Sequence, residues 1–156
     1  MNTFKLSALL LLLLVAATSC KTKKNATATE TETAEAIDDK VKMIHMTESM
    51  LLPKPIDAVN IKSVSIKGDI LILDVAYSGC AEHDFVLYGN RAYQKSLPPK
   101  IGLALVHDAH GDKCRKLSTQ KLYFNIRNIR YPGKDKDYTV VVYVNQDPGN
   151  FVDYKY

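Results

Sequence analysis

From Val59 to Tyr156 the apolar residues recur at every second position in short runs, and turn-forming residues separate the runs. Side chains alternate with period two along a strand and near 3.6 along a helix, so this stretch codes for strands. The pattern predicts Val59–Ile66, Ile70–Tyr77, Phe85–Tyr88, Ile101–His107, Gln120–Arg127, Tyr138–Asn145 and Phe151–Tyr156. Lys67-Gly68-Asp69 and Asp147-Pro148-Gly149-Asn150 read as turns. Ile101–His107 is apolar on both faces and should be central. In Gln120–Arg127 the phase turns Leu122, Phe124 and Ile126 inward and Tyr123 and Asn125 outward. Seven short strands with no helix among them fit an all-β fold, an antiparallel β-sandwich of immunoglobulin-like size, with a small β-barrel as the alternative. Leu73, Val75, Leu105, Phe124 and Val142 are the expected core.

The chain has 156 residues, room for one such domain. Its first part is of another kind. Lys5 is followed by an apolar run, Leu6 to Ala17, with six consecutive leucines from Leu9 to Leu14. That is the charged start and short hydrophobic stretch of a secretory signal, too short for a span of ~20 residues. Ala17-Thr18-Ser19-Cys20 then resembles a bacterial lipobox, with Ala17 where leucine is usual, and its ending is similar to those of Bacteroidetes lipoproteins. The expected organisation is a signal peptide over 1–19, a lipid-tethered linker over 20–42 and one sandwich domain over 43–156. Cys20 is the expected lipidation site, and its acyl chains make the membrane the first partner. Thr22 to Ala36 lacks aromatic residues and apolar periodicity, as a flexible linker does. Val41, Ile44, Glu48 and Leu52 would share one helix face, so a short helix is possible before Pro53 and Pro55. The acidic cluster typical of surface-exported lipoproteins does not follow Cys20, which favours a periplasm-facing position in the cell envelope. A net charge of +4 is too mild to indicate nucleic acid as a partner.

Two segments concentrate reactive side chains. One is Tyr77-Ser78-Gly79-Cys80-Ala81-Glu82-His83-Asp84-Phe85; the other is His107-Asp108-Ala109-His110-Gly111-Asp112-Lys113-Cys114. Together they resemble a pattern of small NigD-like Bacteroidetes lipoproteins, in which Ser-Gly-Cys-x-x-His-x-Phe precedes a strand ending His-Asp and a second cysteine. The resemblance covers roughly Ile70 to Ile126. It implies a β-rich fold on an envelope lipoprotein, without a settled activity.

The chemistry of the same residues leaves three readings open. Once Cys20 is lipidated, two cysteines remain, and an oxidising envelope favours a Cys80–Cys114 disulfide. Paired strands Ile70–Tyr77 and Ile101–His107 would bring them together. Alternatively His83, His107 and His110 with Cys80 and Cys114 supply ligands for zinc or copper. Third, Cys80 or Cys114 beside His83 or His107, oriented by Glu82, Asp84 or Asp108, would be a nucleophile pair for hydrolase or redox chemistry. No protease signature accompanies either cysteine. Met43, His45, Met46 and Met50 are soft ligands suited to Cu(I), or side chains packing the N-terminal segment onto the sandwich. The basic stretch Lys113, Arg115, Lys116, Lys121, Arg127, Arg130, Lys134 and Lys136 reads as a solvated face, with an anionic glycan or headgroup as a possible contact. The sequence thus favours a tethered, non-catalytic envelope protein with a binding or structural role, without a cofactor, whose partner is a protein or glycan.

Overall fold

The computed structural model describes residues 39–156. The signal peptide, Cys20 and most of the expected linker lie outside the described residues. The described chain forms nine strands: β1 (Val41–Met43), β2 (His45–Met46), β3 (Asn60–Lys67), β4 (Ile70–Ser78), β5 (Asp84–Gly89), β6 (Lys100–Asp108), β7 (Leu117–Asn125), β8 (Thr139–Val144) and β9 (Phe151–Lys155). They make two sheets, one ordered β1-β7-β4-β3 and the other β2-β5-β6-β8-β9. Neither closes into a barrel, so the molecule is a β-sandwich.

All seven strands expected from the alternation are present. Leu73, Val75, Leu105 and Val142 are fully buried and Phe124 almost so, so the inward phase is the one expected. Strand β6 is central, flanked by β5 and β8. Tyr123 departs from the expected pattern: it is buried although it lies on the opposite face from Phe124, on a strand with neighbours on both sides. The β3–β4 hairpin turns through Gly68-Asp69, with Gly68 at φ 59°, where a residue bearing Cβ would be strained.

Not every pairing is antiparallel. The β6–β8, β1–β7 and β2–β5 pairs are parallel. The reason is connectivity: β7 runs back through the other sheet, so β8 re-enters alongside β6 in the same direction.

The N-terminal segment corrects a second expectation. In place of a helix it is one extended stretch that joins both sheets. Val41–Met43 pairs with β7, His45–Met46 pairs with β5, and Ile44 between them is buried in the core. Met46 packs against the core, whereas Met43 and Met50 are exposed and His45 lies edge-on to Tyr88 at 5.0 Å. Packing of this segment therefore rests on Ile44 and Met46. Beyond it, residues 47–59 form a strap that starts on Gly89 and ends on the last residues of β6, where the Asp57 N–H donates to the His107 carbonyl at 2.9 Å.

Candidate functional site: the disulfide–histidine end

The two reactive segments meet at one end of the sandwich, although the strands invoked to unite them are not neighbours. Strand β4 belongs to one sheet and β6 to the other. The cysteines lie instead on the two links that cross between sheets at this end, β4 to β5 and β6 to β7. Cys80 and Cys114 form a disulfide with Cα atoms 5.7 Å apart.

Asp112 organises the two links. One carboxylate oxygen accepts the backbone N–H of Cys80 at 2.7 Å and of Ala81 at 2.9 Å, and lies 3.2 Å from His83 Nε2. The other accepts the N–H of Cys114 at 2.8 Å. The Ala81, Cys114 and Cys80 amides, with His83, hold the Asp112 carboxyl well below the usual carboxylate range. Gly79 makes the arrangement possible, because a Cβ there would collide with the Cε1–Nε2 edge of the His83 ring.

A chain of rings runs inward from Asp112. His83 Nδ1 is 2.8 Å from His107 Nε2, and His107 Nδ1 is 3.0 Å from the Ala58 carbonyl. Phe85 stacks on His107 at 4.7 Å, and Tyr77 closes over His83 at 4.8 Å. Both histidines are buried. The ends of this chain are fixed by chemistry: the Ala58 carbonyl and the ionised Asp112 can only accept. With acceptors at both ends, the ring N–H groups of His83 Nε2 and His107 Nδ1 face Asp112 and Ala58.

His110 is not part of this chain. It stands on the exposed rim at φ 51°, with Nε2 3.0 Å from Asp84 and Nδ1 3.6 Å from Asp108. The five-residue ligand set is therefore not assembled: the two sulfurs are bonded to each other, His83 and His107 face each other, and His110 points elsewhere. Among the described residues no group of three or more His, Cys, Asp or Glu is placed to hold a metal ion. The cysteine nucleophile finds no free thiol in this oxidised form, and Asp112, rather than Glu82, Asp84 or Asp108, meets the histidine pair.

The opposite end carries a second polar cluster that charge counting misses. Arg130 donates to Asp69 at 2.8 Å and to the Tyr154 hydroxyl at 3.1 Å, and its guanidinium lies 4.7 Å over the Tyr156 ring. Tyr154 in turn donates to Asp69. Partial burial raises the Asp69 carboxyl, but the Tyr154 and Arg130 bonds outweigh it and leave it below its ordinary value. Burial pushes the Tyr154 phenol up to about 12, reinforced by its bond to Asp69. Tyr93 is also pushed up to about 12, by burial and by nearby Tyr156. Arg130 thus leaves the solvated face to which the basic stretch assigns it. The sequence signal was the tyrosine count, nine against four phenylalanines.

No family model matches this chain, and no curated protein does. Among solved structures, it is similar to a toxin-related protein from Parabacteroides distasonis, with 17% identity over 74% of this chain and 60% of that one, at a TM-score of 0.47. It is also similar to a NigD-like immunity protein from Bacteroides caccae, with 14% identity over 65% of this chain and 51% of that one, at 0.47. A third is a protein of unknown function from Bacteroides vulgatus, with 17% identity over 74% and 56%, at 0.46. The chain spans between half and three fifths of each. The second is of the NigD-like kind that the Ser78-Gly79-Cys80 segment resembles.

Proposed function

We propose that this protein is a lipid-anchored component of the bacterial cell envelope that works by binding rather than by catalysis. Its signal peptide ends at Ser19, Cys20 carries the lipid, and the sandwich faces the periplasm. One observation carries the non-catalytic part: the sulfurs and ring nitrogens of the reactive cluster are engaged with one another, with Asp112 and with Ala58. Such a cluster staples two crossover links and leaves recognition to the outer surface. No helix among the described residues is long and apolar enough to cross a membrane.

The test uses the full chain in a host that processes lipoproteins. The parent should partition into the detergent phase, and Cys20→Ala should move to the aqueous phase. Unreduced protein, once unfolded, should expose no alkylatable thiol at Cys80 or Cys114. A variant that partitions as the parent does removes the anchor; a single reactive, low-pKa thiol returns the protein to cysteine chemistry.

A further inference from the structure

Outside the disulfide end, the outer face of the five-stranded sheet holds a half-open cleft of about 600 Å³. The strap, with Leu51, Pro53 and Pro55, forms one wall. Tyr143 and the Asn145-Gln146 turn form the other, and the floor is Gly102 and Ala104 on β6. Gly102 has a definite role there: a Cβ would lie 2.9 Å from the Tyr143 ring, so glycine lets that ring rest on the sheet.

The turn is unusual. Asn145 and Gln146 have φ of 55° and 56°, and the Asp147 N–H bonds back to the Val144 carbonyl at 3.3 Å. Two central residues at positive φ are the signature of a hairpin-type turn that favours Asn-Gly. Asn145 fits, and its side-chain oxygen accepts the Leu105 N–H at 2.8 Å. A long glutamine where glycine is preferred is strained, and it stands at the rim of the cleft. Local strain of this kind gathers at ligand-binding positions.

We infer that this cleft binds a neutral, hydroxyl-rich ligand of the saccharide class. The inference rests on the binding reading above and names its ligand. Apart from Lys54, the polar side chains of the cleft that are not spent within the fold are neutral. The Gln94 amide nitrogen donates to the Tyr143 hydroxyl at 2.8 Å, leaving its carbonyl oxygen and the tyrosine O–H to serve a ligand, and Gln146 lines the same cleft. Lys54 is the one charged residue among those lining the cleft. Amides and a phenol suit hydroxyl groups, which both donate and accept. The apolar strap and the tyrosine ring suit the C–H faces of a sugar. An extended peptide is a poor fit, because it would need a free strand edge. Beyond Leu103 the edge of β6 is already filled, by Asn145 at Leu105 and by Asp57 at His107 and Ala109.

The experiment is calorimetric titration of the full-length protein in detergent micelles with maltotetraose, cellotetraose, xylotetraose and chitotetraose, and with a sulfated heparin tetrasaccharide for comparison. At least one neutral sugar should bind. Gln94→Ala and Gln146→Gly should each weaken it about tenfold, the equivalent of one lost hydrogen bond. Gln146→Gly separates fold from binding, because relief of strain should leave Tm unchanged or raised. Lys54→Ala should change affinity less than about threefold. Failure of all the neutral sugars, insensitivity to Gln146→Gly, or preference for the sulfated sugar overturns the assignment. A benzophenone amino acid at position 146 then tests the reading beneath it in cells. A protein adduct without sugar binding rejects the saccharide and keeps the binding role; neither adduct nor sugar binding rejects both.

Discussion

The two ends of the sandwich solve one problem with different chemistry. Each ties down chain that passes between the sheets, where no strand ladder runs: the β4–β5 and β6–β7 links at one end and the β7–β8 link at the other. At one end Cys80 and Cys114 are joined covalently and Asp112 gathers the amides around them. At the other, Arg130, Asp69 and Tyr154 form a triangle of hydrogen bonds, edged by Tyr156. The covalent end acts chiefly on the unfolded chain, by restricting its freedom. The tyrosine end acts only in the folded state, through contacts that must be desolvated to form. The first end is therefore sensitive to redox conditions, and the second to substitution and alkali.

The largest effect should come from removing the covalent tie. The bridged residues are 34 positions apart, which in the chain-entropy model corresponds to about 4 kcal/mol. Denaturant unfolding of the Cys80→Ser, Cys114→Ser double variant should show that loss, and reductant should reproduce it in the parent. A loss below about 1 kcal/mol would make Asp112 and the histidines the true staple. Next is Arg130→Met, which leaves Asp69 and the Tyr154 hydroxyl short of a charged partner and should cost about 1.5–3 kcal/mol. A negligible loss would reduce the triangle to surface decoration.

The smallest effects at neutral pH are those of titration, and they separate the ends at the extremes. The Asp112 carboxyl is lowered in the fold, so its contribution is complete above the unfolded value of about 3.9 and is lost as pH falls below it. Asp69 behaves the same way at the other end. Tyr93 and Tyr154 are raised to about 12, so their contribution is complete below the unfolded value of about 10 and is lost as pH rises from there to about 12. The alkaline limb therefore reports on the tyrosine end. Across pH 8 to 12, Tyr93→Phe should lose less stability than the parent, and the Cys80→Ser, Cys114→Ser variant, which adds no titrating thiol, should keep the shape of that limb. A limb altered in that variant would couple the two ends.

The same contrast explains what could be read in the sequence. Strands β3 to β9 were legible because each is long enough for the alternation to show. Strands β1 and β2 have three and two residues, and the spacing of Val41 and Ile44 serves a helix or a crossing between sheets equally well. The expected compartment and the cysteine count point to a Cys80–Cys114 pair, but the geometry differs: crossover links unite them rather than adjacent strands. Asp112 sits in a Gly-Asp pair that reads as an ordinary turn, and nothing local marks four hydrogen-bond donors converging on it. Arg130 was lost in a run of positive charge because its partner, Asp69, is 61 residues away. Composition reported the tyrosines without saying where they gather. The outer-face cleft left even less trace, since small residues on β6 matter there through the space they leave.

One consequence of the N-terminal strands is mechanical. Val41–Met43 and His45–Met46 are sewn in sequence into opposite sheets, both running parallel to their partners, with Ile44 locked between. A pull on the chain ahead of Val41, along the strand axis, loads both ladders in shear. Their hydrogen bonds must then fail together rather than unzip singly, and the force is divided between two layers instead of peeling one from the other. A domain towed by its leading end is, in this geometry, held shut by the segment that tows it.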